Sequence, residues 1–158
     1  MNNADRVIME RPNLEGIPSF EPPESYRIRP YKSGDEADWY DIHLEADKIS
    51  DITEDLFARE FGSDPDELAQ RQFYLCHGEK IIGTAAAWHG RDYKDGSYGR
   101  VHWVAIRLSY QGRGLSKPLM RKVLSALREL GYEKAYLTTS RRRPVAIRLY
   151  QSFGFVEV

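Results

Sequence analysis

The sequence predicts a mixed α/β domain assembled in the order βααβββαβαβ. Three observations carry this. Between Gly34 and Gln70 the apolar residues recur at helical spacing, and from Arg71 the period switches to strands: RQFYLCH and IIGTAAAW, split by a GEK turn, read as a hairpin. From Ser116 a single stripe of Leu119, Met120, Val123, Leu124, Leu127 and Leu130 marks a core-facing helix between two short strands. The chain has 158 residues, 41% hydrophobic and 30% charged, which suits one soluble domain around one sizeable core.

Taken in order, five of the eight prolines (Pro12, Pro18, Pro22, Pro23 and Pro30) fall in the first thirty residues, so Met1–Glu24 reads as an irregular arm and 25–158 as the folded domain. SYRIRPY alternates well enough for a first strand, at an edge because of Pro30. GDEADWYDIHLEAD reads as a helix with Trp39, Ile42 and Ala46 near one face. DITEDLFAREFG is a second helix stopped by Gly62, and SDPDELAQ extends it by a turn, with Ser63 as cap and Asp66 as the capping-box acid. After the hairpin and the polar loop HGRDYKDGSYG comes the strand VHWVAI. The long helix from Ser116 closes at Gly131. KAYLTTS is a strand, PVAIRLYQSFG a short helix opened by Pro144, and FVEV a final extended piece.

Bulk properties exclude several functions. A formal net charge of −1 argues against a broad nucleic-acid footprint. The single cysteine, Cys76, can form no internal disulfide and no thiolate zinc cage, and His43, His77, His89 and His102 lack ligand spacing, so no metal site is expected. No apolar run is long enough to span a bilayer and MNNADRVIMERP has no secretory order, so no membrane partner is expected and the cytoplasm is the expected compartment.

The segment YQGRGLS, Tyr110–Ser116, carries the chemistry. A strand, a glycine-rich turn and a helix amino terminus together make an anion site, because the first helical N–H groups lack helix partners and the dipole adds positive charge. The alternative is that Gly112 and Gly114 only turn the chain. A Walker loop is absent. The dinucleotide fingerprint fails as well, since Lys117 stands at its third glycine and the next strand closes with Thr138, Thr139 and Ser140 rather than an acid.

Gln111-Gly112-Arg113-Gly114-Leu115-Ser116, following Trp103-Val104-Ala105-Ile106, resembles the acetyl-CoA signature of the GNAT superfamily of N-acetyltransferases. Ala146-Ile147-Arg148-Leu149-Tyr150-Gln151-Ser152-Phe153-Gly154-Phe155 is similar to that superfamily's last conserved segment, and element order agrees from Ser25 to Phe155. The resemblance implies a mostly antiparallel sheet flanked by helices, with VHWVAI and KAYLTTS splayed to hold coenzyme A. It places the pyrophosphate on the N–H groups of Gly112, Arg113, Gly114, Leu115 and Ser116 beside Gln111, and the pantetheine along Val104, Ala105 and Ile106. It implies acetyl-CoA as co-substrate, a small-molecule or peptide amine as acceptor, and direct attack in a ternary complex.

Within that framework Tyr150 is the candidate acid toward the departing thiolate; otherwise it is a core tyrosine on the Ala146–Phe153 face. His102 is the candidate base, near where relatives place a carboxylate; otherwise it is a structural strand histidine. Arg143 falls where relatives often carry a coenzyme-contacting asparagine, and Arg141–Arg143 otherwise reads as a solvated loop. Ser116 replaces the usual last Gly or Ala of the loop and can cap the helix or bond a phosphate. Acceptor choice is expected from Asp35–Phe61 and Trp88–Gly99, where Trp39, Tyr40, Trp88 and Tyr93 lie beside Asp41, Glu45 and Asp92. Relatives usually add one more strand after FVEV, so either the protein is naturally short, or a segment is missing, or a partner supplies the strand; an unpaired edge there is prone to association, a homodimer being one such outcome. Two other functions fit the same residues: a non-catalytic coenzyme A sensor, and a protein-interaction domain that uses the arm.

Overall fold

Arg6–Arg11 are a strand, β1, which corrects the expectation of an irregular arm through Glu24. In the computed structural model, which describes residues 3–158, β1 lies inside a seven-stranded sheet of order β2-β3-β4-β5-β6-β1-β7. The remaining strands are β2 (Tyr26–Pro30), β3 (Gln72–His77), β4 (Lys80–His89), β5 (Tyr98–Ile106), β6 (Lys134–Ser140) and β7 (Val156–Glu157). Met1 and Asn2 of the expected arm lie outside the described residues. RVIMER contains no proline, and its alternation sends Val7, Met9 and Arg11 inward, where all three are buried. The proline-rich stretch begins only after it.

β1 pairs antiparallel with β6 from Arg6↔Ser140 to Arg11↔Ala135, and on its other side with β7 at Met9↔Glu157 and Glu10↔Val156. β1 thus stands between β6 and β7, and β7 forms that edge of the sheet. Arg11 locks the join: its guanidinium donates to the carbonyls of Phe153 (2.8 Å) and Glu15 (3.0 Å), tying the strand to the end of the last helix.

The helices are α1 (Asp35–Ala46), α2 (Leu56–Phe61), α3 (Pro65–Arg71), α4 (Ser116–Glu129) and α5 (Pro144–Ser152). α3 is a helix of its own rather than an extension of α2. Gly62 leaves helical geometry at φ 71°, and Asp64, not Ser63, caps the new helix by accepting from the N–H groups of Asp66 (3.0 Å) and Glu67 (3.4 Å).

The sheet has an apolar cluster on each face. Leu75, Ile82 and Val101 pack with Leu119, Met120, Val123, Leu124 and Leu127 of α4. Tyr74, Cys76, Ile81 and Ala86 pack with Trp39, Ile42, Leu56, Phe57 and Phe61 of α1 and α2. Every strand pair is antiparallel except β5–β6. No helix among the described residues is long and apolar enough to cross a membrane.

Candidate active site

β5 and β6 are paired only at Tyr98↔Lys134, Gly99↔Ala135 and Arg100↔Tyr136. Beyond Arg100, β5 continues to Ile106 bonded only to β4, and beyond Tyr136, β6 continues to Ser140 bonded only to β1. The two strands form a fork whose inner edges, Val101–Ile106 and Leu137–Ser140, face one another without a ladder. Val104, Ala105 and Ile106 lie on the β5 prong, paired to β4 alone.

Within that prong β5 carries a bulge. Its register against β4 jumps from Ala86↔His102 to Thr84↔Ala105, so one extra residue is accommodated, and Trp103 takes φ 51°. A bulky residue at positive φ is strained and persists only where its surroundings hold it. Trp103 is held on three sides: its indole Nε1 donates to Glu60 Oε1 (2.9 Å), and its ring meets Trp39 and His43 edge to face at 5.6 and 5.2 Å. A bulge leaves its extra residue out of the ladder and re-aims it, and bulges concentrate beside active sites.

Past Ile106 the chain makes a 3-10 turn at Leu108–Tyr110 and enters the glycine loop. Gly112 and Gly114 both take positive φ, 78° and 72°, and a side chain added at either would meet nothing within 4 Å. The glycines are thus set by backbone conformation, with open space in front of them. Gln111 turns back to donate to the Ile106 carbonyl (2.8 Å), while Leu115 is buried in the core. Arg113 is exposed, donating to the Ser109 carbonyl (3.1 Å) with its guanidinium 5.1 Å from the Tyr110 ring centre. Ser116 is the first helical residue rather than the cap, and no side chain caps α4. The amino-terminal N–H groups of α4 therefore have no side-chain acceptor, as an anion cradle requires. The fork, the open glycines and the uncapped helix together suit a diphosphate with an amide-bearing arm.

Tyr150 lies on the inner face of α5, buried, with its ring edge-to-face to Phe155 at 6.3 Å. Burial pushes its phenol up to about 12, partly offset by the nearby charge of Arg143. His102 is buried beside Phe61 and Trp103, its Nε2 3.7 Å from Glu60 Oε1. Burial first, and then the charges of Arg100 and His43, hold its imidazole well below the usual range, so it is neutral at pH 7.

Arg143 is engaged away from the loop. Its Nη2 donates to Asp47 Oδ1 (2.8 Å) and Ser50 Oγ (3.2 Å), clamping the α1–α2 connection to the start of α5. Asp47 also accepts from the N–H groups of Ile49 and Ser50, each at 2.9 Å. Burial alone would raise its carboxyl, but these bonds and Arg143 bring it below the ordinary value. His43 completes this group. Burial, outweighing the opposing effect of Asp47, lowers its imidazole to about 3, and its ring lies edge to face with that of Trp103 at 5.2 Å.

Several residues expected to select the acceptor are structural. Trp39 is 1% exposed within the second core. Glu45 accepts from the Leu108 N–H (2.8 Å) and pairs with Arg107. Tyr93 stacks on Tyr136 at 3.8 Å and donates to Glu10. His43, Asp47, Glu60 and Arg100 were not singled out from the sequence, because each matters through a partner distant along the chain.

The sequence model of the Acetyltransferase (GNAT) family matches residues 32–155. The chain belongs to the GNAT family of acetyltransferases. Among curated relatives, it is 30% identical over 159 aligned residues to a mycothiol acetyltransferase of Thermobispora bispora, covering 93% of this chain and 52% of that one. It is 32% identical to human N-acetyltransferase 8B, covering 74% of this chain and 48% of the relative. The chain thus spans about half the length of the curated relatives it matches. Among solved structures, a GCN5-related N-acetyltransferase from Sphaerobacter thermophilus superposes with TM-score 0.77 at 22% identity, covering 98% of this chain and 48% of that one. The ribosomal-protein-S18-alanine N-acetyltransferase of Escherichia coli superposes with TM-score 0.68 at 22% identity, covering 84% of this chain and 79% of the other. GNAT enzymes use acetyl-CoA as donor, and among the described residues no group of three or more His, Cys, Asp or Glu side chains could hold a metal ion.

Proposed function

We propose that this chain transfers the acetyl group of acetyl-CoA to a primary amine by direct attack in a ternary complex. The observation that carries the proposal is the fork between β5 and β6, which opens beside the bulge at Trp103 and runs into the positive-φ glycine loop. The free edge of β5 at Val104–Ile106 suits the pantetheine amides as a sheet edge suits a peptide. The N–H groups of Gly112–Ser116 suit the diphosphate.

In the transfer the amine nitrogen bonds to the thioester carbonyl carbon, the amine gives up a proton, the C–S bond breaks and the sulfur takes a proton. The bulge offers backbone donors outside the ladder for the oxyanion. Tyr150 supplies the phenol toward the thiolate; with its acidity lowered by burial it stays protonated across the working range and acts as hydrogen-bond donor to the sulfur. His102, held neutral, accepts the amine proton, and Glu60 at 3.7 Å leads it toward solvent. Arg143 serves this site by fixing the α1–α2 connection rather than by meeting a phosphate.

The test is Tyr150→Phe, assayed by free-thiol release with acetyl-CoA over a panel of amines. Loss of a positioned acid lowers kcat by about 10²–10⁴-fold, while the KM for acetyl-CoA stays within about twofold because the variant keeps the ring. An unchanged kcat removes Tyr150 from the mechanism. Coenzyme binding with no thiol release from any amine returns the protein to the sensor reading.

A further inference from the structure

Arg100 sits where the fork closes, two residues before His102 on the same face of β5, at the last pair that joins β5 to β6. Its guanidinium lies 5.6 Å from the Tyr136 ring centre, and Nη2 donates to Thr138 Oγ1 (3.1 Å). Its Nε is buried without a partner. Among the described residues no carboxylate lies within 4.0 Å of it, whereas the other arginines at comparable depth are answered. Arg29 has Asp35, Arg107 has Glu45 and Asp38, Arg143 has Asp47, and Arg11 and Arg71 have backbone carbonyls. A guanidinium has five donors in a fixed fork that matches carboxylate and phosphate oxygens, and a half-buried one left unanswered is costly.

We propose that Arg100 anchors an anionic group, a carboxylate or a phosphate, on the acceptor amine. The proposal rests on the acetyltransferase reading above and names the acceptor class for that same site. Tyr136 and Thr138 hold the guanidinium in place, so the anion meets a preorganised donor. Arg100 and His102 are separated by two residues of strand, about 7 Å, a span suited to a small amino acid or an aminoalkyl phosphate. The charge of Arg100 already depresses the proton affinity of His102, and an anion bound to it cancels that effect where the amine proton must be accepted. The anion itself is unchanged in the reaction: the new C–N bond forms at the amine, the C–S bond breaks, and the proton balance is that of the transfer already described.

The experiment compares amines that differ only in the anion, using the full chain and acetyl-CoA: phenylalanine against phenethylamine for a carboxylate, and ethanolamine phosphate against ethanolamine for a phosphate. A charge-assisted hydrogen bond contributes roughly 1.5–3 kcal/mol, so in at least one pair the anionic member has a kcat/KM higher by about 10- to 150-fold. Which pair shows it identifies the anion. R100M brings the two members of that pair to equal kcat/KM, and R100K, which keeps the charge without the fork, gives an intermediate ratio. Melting curves of both variants check the fold. Calorimetry of the same four amines with unacetylated coenzyme A reads the preference without turnover. Equal kcat/KM within both pairs, or a preference that survives R100M, overturns the proposal and leaves acetyl transfer standing. A binding preference that R100M abolishes, in a protein that releases thiol with none of the amines, sustains the anion site and removes the acetyltransferase reading.

Discussion

Lowering the pH from 7 to 5 strikes the site through His43. Its imidazole is 2% exposed and lowered to about 3 from an ordinary 6.5, with burial as the leading cause. Between those two values the unfolded chain binds a proton that the folded chain refuses, so stability falls as pH falls through this window and is unaffected above 6.5. At pH 5 the unfolded state gains 1.5 pH units' worth of protonation, and the loss is about 2 kcal/mol. This figure is insensitive to the folded value as long as that stays well below 5. His102 and His89, also lowered by burial first, act in the same direction. The lowered carboxyls of Asp47 and Glu10 lose their contribution only as pH falls below the ordinary 3.8 and 4.5, outside the range from pH 7 to 5. The assay is urea unfolding at pH 7, 6 and 5 for the parent and for His43→Gln, which keeps a polar side chain but cannot take the proton. The variant starts less stable, yet its loss between pH 7 and 5 is smaller than the parent's by about 2 kcal/mol. Identical pH slopes for the two proteins refute the reasoning. Because the His43 ring packs edge to face on Trp103 at the bulge, activity is expected to fade over the same pH range.

The glycine loop and the first strand yield further expectations. Gly112→Ala with Gly114→Ala forces two L-residues into positive φ at roughly 1–2 kcal/mol each, so the double variant stays folded but binds coenzyme A at least tenfold more weakly by calorimetry. Binding equal to the parent's would detach the loop from the coenzyme. Met9→Ala removes a side chain that is 0% exposed at the centre of β1. Its expected loss in urea unfolding is about 2–5 kcal/mol, and a loss below 0.5 would mean that β1 is not part of the cooperative sheet.

What was legible in the sequence was what short-range pattern encodes. The α4 stripe, the β3–β4 hairpin and the glycine loop each announce themselves within a dozen residues, and each lies where periodicity put it. β1 is hard to see in the sequence although RVIMER alternates properly, because the prolines that follow give the arm as a whole the composition of irregular chain. The bulge was out of reach for a different reason. A one-residue change of register leaves WVAI looking like any strand, and only the pairing with Thr84 and Ala86 exposes the extra residue. The acids and aromatics of α1 misled because composition does not say which way a side chain points. Trp39 turns inward to brace Trp103, and Glu45 is occupied by Leu108 and Arg107. Tyr150 and His102 could be named from motif and position, but His43 and Asp47 acquire meaning only from Trp103 and Arg143, which lie far along the chain.

The fork poses a stability problem, and β1 answers half of it. β6 leaves β5 after Tyr136, and a strand departing from its neighbour exposes one backbone edge. Had its other edge also been free, Leu137–Ser140 would have no ladder at all and no reason to stay extended. The six-residue register with β1 supplies that ladder, so β6 can hold its distance from β5 and keep its inner edge open. β5 is secured in the same way by β4, with the bulge taking up the mismatch at the point of divergence. Each prong is thus anchored from outside, and the unpaired groups face inward, where in the proposed function an amide-bearing arm would replace the missing strand contacts. On this account the first strand of the chain is as much a part of the coenzyme site as the glycine loop. A change in β1 that loosens its grip on β6 should therefore weaken coenzyme binding from a position that touches no part of the coenzyme.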